Sequence, residues 1–112
     1  MSTPPRTAVV LLDVYNHFLH PSGKINRLVV ESMASTNTIQ HLTELVSASR
    51  KARLPIYYAL HQTYREGNYQ GWLHMNGTTT GISKSKALEE WSWGAKICEG
   101  LEPDVLETGT WL

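Results

Sequence analysis

Scarcity marks this 112-residue sequence. It has one cysteine, Cys98, one phenylalanine, Phe18, and two aspartates, Asp13 and Asp104. A lone cysteine excludes an internal disulfide and fits a reducing compartment. Charge of one sign is also missing, because ten basic side chains balance ten acidic ones. No net field therefore draws in nucleic acid or an anionic membrane. Long apolar runs are absent too. The stretch Ala8–Leu12 is too short for a signal-peptide core or a membrane span. There are no internal repeats and no coiled-coil heptads. The expectation is a soluble, cytoplasmic protein that binds neither nucleic acid nor membrane.

What is present is globular in balance, with 41% hydrophobic and 18% charged residues. Residues 1–6 form a proline-bearing tail, and 7–112 form one domain. Thr7–Asp13 (TAVVLLD) is an unbroken aliphatic run ending in an acid, which predicts a strand buried on both faces. His20–Gly23 is a turn. From about Ser32 to Arg53 the period becomes helical, with Ile39, Leu42, Leu45 or Val46, and Ser49 recurring every three or four residues. Ser35, Thr36 and Asn37 are plausible caps for its main stretch. Arg50, Lys51 and Arg53 suit the negative end of the helix dipole, and Pro55 stops the helix. Pro55–His61 (PIYYALH) reads as a second strand. Strand, helix, strand is a βαβ unit, which implies a parallel pair. Gln62–Lys84 is glycine-rich and reads as a long loop, of the kind that forms lids. Ser85–Trp93 is a candidate short helix, and Val105–Leu106 a stub of a third strand. So small a parallel sheet leaves an edge and much apolar surface uncovered.

Asp13 is the sharpest chemical candidate. Open α/β sheets bind ligands just beyond the carboxyl ends of their strands. A carboxylate held there can serve as a general acid or base, or merely cap the turn that follows. His61, at the end of the second strand, shares that rim. Phe18 is a candidate pocket wall or a core residue. Tyr64, Tyr69, Trp72 and His74 make the long loop aromatic, as suits a lid over a small planar substrate, with Trp72 either touching substrate or anchoring the loop. His17, His20, His61 and His74 lack a tight ligand spacing, so no metal is expected. No cofactor is expected either, since glycines 67, 71, 77 and 81 form no phosphate-binding fingerprint. Cys98 reads as a small buried hydrophobe.

The segment AVVLLDVYNHFLHPSGKI, Ala8 to Ile25, resembles the opening strand and loop of isochorismatase-like cysteine hydrolases. Their pattern there is D-x-Q-N-D-F followed by a proline–glycine turn. Asp13, Asn16 and Phe18 match it, while Tyr15 replaces the usual glutamine and His17 the usual second acid. RKARLPIYYALH is similar to that family's second strand, and GTTTGISKSKALEEWSWGAKICEGLEP to the stretch leading to the third.

The resemblance implies a three-layer α/β/α fold around a parallel sheet, present here in part and lacking the C-terminal strands. It implies a triad in which an aspartate follows strand one, a lysine follows strand three and a cysteine opens the helix after strand four. The cysteine attacks an amide or related carbonyl carbon of a small molecule, and the aspartate carries its proton. Thiolate formation at a helix N-terminus is physically sound. Only Asp13 carries over. No lysine follows Lys96, and Cys98 precedes the third strand. The sequence thus reads as truncated before most of the catalytic groups. Homo-oligomerisation, or pairing with a full-length homologue through the open sheet, is the partner expectation.

Overall fold

A computed structural model describes residues 6–104 of the chain. The proposed third-strand stub at Val105–Leu106 lies outside the described residues, as does nearly all of the N-terminal tail.

Two strands, β1 (Val9–Leu12) and β2 (Ile56–Ala59), pair in parallel, with Val9 opposite Ile56 and Leu12 opposite Ala59. Between them run α1 (Asn16–Leu19), a 3-10 turn (Asn26–Leu28), α2 (Val30–Thr36) and α3 (Thr38–Lys51). The βαβ reading of the first half therefore holds, with both strands shorter than their apolar runs. The helical stretch is divided. Asn37 adopts a left-handed conformation (φ +49°), which breaks the ladder between α2 and α3. Asn37 stands at the start of α3 but makes no side-chain capping bond. Arg50 and Lys51 close α3, whereas Arg53 lies beyond it at φ +58°. The chain turns there through a bond from the Leu54 N–H to the Ser49 carbonyl at 2.8 Å.

The inward stripe of α3 is Leu42, Val46 and Ser49, and Val46 is fully buried against β1 and β2. Leu45, one position off that stripe, is exposed, and so is Ile39, which continues the stripe into the first turn of α3. Leu11, Ile56 and Tyr58 point into the same core, joined by Val14, Leu19, Cys98 and Leu101. The Tyr58 hydroxyl donates to the Leu101 carbonyl at 2.7 Å and so satisfies its buried polar end.

The expectation that β1 is buried on both faces is not met within these residues. Leu11 is 3% exposed, but Val10 is 48% and Leu12 68% exposed. Side chains alternate across a strand, and helices cover only the side that carries Leu11. A parallel sheet needs cover on both faces, and among the described residues only one face receives it.

The second half corrects the reading of residues 62–93. The helix is α4 (Gly77–Ser85), inside the stretch read as loop, and residues 86–92 are turns rather than helix. Asn76 caps α4, its side-chain oxygen accepting from the Thr79 N–H at 2.8 Å and from the Thr79 hydroxyl at 2.6 Å. Ile82 drives α4 into a second core with Tyr15, Tyr69, Ala87 and Leu88. The segment ends in a 3-10 turn, Trp93–Ala95.

Candidate functional site

The site begins where the β ladder ends. The Asp13 N–H donates to the Ala59 carbonyl at 3.1 Å, the last rung between the strands. Asp13 then takes φ +54°, a left-handed conformation that costs a non-glycine residue about 1–2 kcal/mol. Such strain persists only where surrounding contacts over-determine it, and it concentrates at functional positions. Those contacts are visible here. Just after Asp13, the Val14 carbonyl accepts from the Cys98 N–H at 2.9 Å, and Tyr15 bridges Ile97 in antiparallel fashion. The half-buried Asp13 is thus held between β2 on one side and the segment at 97–98 on the other.

Tyr15 organises the rim. It is 2% exposed, and its hydroxyl donates to the His61 carbonyl at 3.1 Å. Burial pushes its phenol up to about 12; the hydrogen bond to His61 opposes this and the nearby Asp13 carboxylate reinforces it. Tyr15 therefore stays protonated near neutrality and remains a donor. Its ring lies 6.3 Å from that of Phe18. The structure so gathers Asp13, Phe18 and His61 around Tyr15. The His61 ring is half-buried, its Nδ1 3.0 Å from the Gln62 carbonyl.

Trp72 is placed elsewhere. It is 48% exposed and packs edge-on against Tyr69, with ring centroids 5.0 Å apart. The anchor of the long loop is Tyr69, which is 8% exposed and stacks near Tyr64 at 6.3 Å. The sequence points to Trp72 as the candidate anchor, and packing gives that place to Tyr69.

Two residues that depart from the family pattern have structural work of their own. Tyr15 is the hub just described, and its only signal in the sequence is that it stands where glutamine is usual. His17 is 5% exposed, and its Nδ1 accepts from the Lys24 N–H at 3.2 Å. Its ring packs so closely on Gly94 that a Cβ there would lie 1.9 Å from Nε2. Burial first, and Lys24 second, push the His17 imidazole below its usual range, so the neutral ring is favoured. Neighbouring Asn16 is also buried. Its side-chain N–H donates to the Trp93 carbonyl at 2.9 Å, and its backbone N–H to Lys96 at 2.9 Å. Residues 16 and 17 therefore clip the 93–96 turn beneath the Asp13 loop.

Cys98 does not have the setting of a nucleophile. It is buried, and its thiol is pushed up by that burial and by Glu102 and Glu99. A reactive cysteine needs the opposite, a positive and partly open environment. Among the described residues, no three His, Cys, Asp or Glu side chains gather as a metal site. No helix among them is long and apolar enough to cross a membrane.

No protein-family profile matches the chain, and no curated protein does. A solved structure does. The cysteine hydrolase from Pseudomonas syringae pv. phaseolicola 1448A superposes with a TM-score of 0.66 at 24% identity. The match covers 99% of this chain and 48% of that one, so the chain spans about half its length. A parallel strand pair, an acid at the end of β1 and this superposition agree: the chain has the α/β fold of about half of that cysteine hydrolase.

Proposed function

We propose that the chain is an isochorismatase-like hydrolase acting on a small-molecule C–N or related bond, with Asp13 as the proton carrier. The observation that carries this reading is the strained, doubly anchored Asp13 at the carboxyl end of β1. A carboxylate fixed there is placed to take a proton from a nucleophile and hand it to the leaving group. Tyr15 and Phe18 wall the same rim. His61 lies beside it, and Trp72 with Tyr69 belongs to the loop that would close over a small substrate.

The 112 residues by themselves are catalytically incomplete on this reading. No lysine follows Lys96, and the one thiol is buried and not activated. Removing the nucleophile of a triad lowers the rate by orders of magnitude. Ammonia release from small amides, measured for this chain and for Asp13→Asn, tests the role of the acid. A slow rate that Asp13→Asn abolishes is the expected result. Identical background rates for the two would remove the enzymatic reading.

The open face of the sheet favours a second reading, a non-catalytic paralogue that associates with a longer homologue. Val10 and Leu12 are the exposed residues that support it. Co-purification of this chain with such a homologue, lost in Leu12→Lys, is the expected result. A monodisperse monomer with a cooperative thermal transition and no affinity for the homologue would overturn it.

A further inference from the structure

A cavity of about 570 Å³ lies between the loop that follows α1 and one face of α4. That volume falls within the roughly 300–1,000 Å³ usual for small-molecule sites. Its floor is apolar. Phe18 and Ile25 are half-buried there, and Ile82 is 3% exposed within the second core. Its rim is cationic, with Lys24 and Arg27 lining it and no acidic side chain doing so. Lys24 Nζ donates to the Ser85 carbonyl at 3.0 Å, which ties the last turn of α4 to the loop and holds the ammonium at the mouth.

The remaining wall is bare backbone. Gly81 lies inside α4 and lines the cavity, and a Cβ built on it would meet nothing within 4 Å. A glycine inside a helix costs about 1 kcal/mol relative to alanine. Close packing within the chain normally accounts for such a residue, as it does at Gly94, and here there is no such packing. Gly81 therefore leaves bare, open backbone beside two cations and an apolar floor.

We propose that this cavity binds a small carboxylate with a flat apolar body. The carboxylate would meet Lys24 and the planar guanidinium of Arg27, which suits paired carboxylate oxygens. The body lies over Phe18, Ile25 and Ile82, against the face left open by Gly81. Asp13 is not among the lining residues. The site is therefore separate from the proposed proton carrier, sharing with it only Phe18 as a wall, and it stands whether or not the hydrolase reading does.

Benzoate and its neutral counterpart benzamide, titrated into the 112-residue chain by calorimetry, test this. Saturable one-to-one benzoate binding is expected, with benzamide at least tenfold weaker and Arg27→Gln about tenfold weaker for benzoate. Gly81→Ala should raise the ligand-free Tm and at the same time weaken benzoate several-fold, a combination that misfolding does not produce. Asp13→Asn should bind benzoate as the parent does, so this site and the hydrolase reading fail separately. Benzamide binding as tightly as benzoate, unchanged affinity in Gly81→Ala, or loss of binding in Asp13→Asn would each overturn the proposal.

Discussion

Leu11 and Leu12 are the same residue type, adjacent in one strand, and 3% and 68% exposed. One looks into the core under α3, and the other looks out of a sheet face that nothing among the described residues covers. Hydrophobicity alone does not separate them, because the run VVLL is apolar at every position. The difference teaches that burial is a property of the neighbours a strand receives. The pair also shows what the fold lacks for its size. Val10 and Leu12 are typical of a strand covered on both sides, yet they face outward here.

The largest expected effect sharpens this comparison. Leu11→Ala should destabilise the chain by about 2–5 kcal/mol through lost burial and the cavity left behind. Leu12→Ala should stay within about 0.5 kcal/mol, as exposed positions do. Urea unfolding of the two variants checks both, and equal losses would mean that the outer face is covered in solution. Next comes Gly94→Ala, expected to lose about 1–3 kcal/mol, because the added methyl runs into the His17 ring. The same urea midpoints measure it, and Gly81→Ala, whose methyl meets open space, is the natural control.

His17 yields a pH prediction of comparable size. Its folded-state pKa lies below the unfolded value of 6.5, so the unfolded chain takes up the proton first as pH falls. Stability from the neutral ring is complete above pH 6.5 and declines as the pH drops from there toward the folded pKa. The slope for one group is at most about 1.4 kcal/mol per pH unit. His17→Asn should flatten that part of the stability curve between pH 5 and 7, whatever it does to the absolute level. Asn76→Ala is expected to cost about 1 kcal/mol for loss of the α4 cap. It should appear as faster hydrogen exchange confined to residues 77–85.

The two halves of the chain differ in how far they were legible. Residues 9–59 carry strong signals, and strand, helix, strand follows from them, although the ends, the Asn37 break, α1 and the 3-10 turn at Asn26–Leu28 do not. Residues 60–104 lack such signals. The α4 sequence GTTTGISKS consists of glycine, threonine and serine apart from Ile82 and Lys84, and those three types are weak helix formers. It is helical because Ile82 and Thr79 are buried and Asn76 caps it, facts that no local propensity contains. The turns that follow hold Lys86, Leu88 and Trp91 in left-handed conformations. Leu88 is fully buried there, and the Tyr64 N–H donates to its carbonyl at 2.7 Å. Of the candidate site, Asp13 was legible because the end of an apolar strand is a place with known consequences, and His61 for the same reason. Phe18 drew attention through its match to a motif. The pairing of the Tyr15 hydroxyl with the His61 carbonyl joins residues 46 positions apart and has no sequence signal. The choice of Tyr69 over Trp72 as loop anchor is likewise a matter of packing.

The amino-acid order by itself determined the parallel βαβ unit and the position of an acid at the mouth of β1. Both follow from two unbroken apolar runs, a 3.6-residue period between them and the places where those runs stop, which is information held within a dozen neighbours. Tertiary structure alone decided which face of β1 is covered and that Asp13 is held at φ +54°. It also decided that weak helix formers would fold as α4 and that His17 would lie against Gly94. Each of these depends on surfaces brought together from opposite ends of the chain, where shape and hydrogen bonding outweigh any local preference.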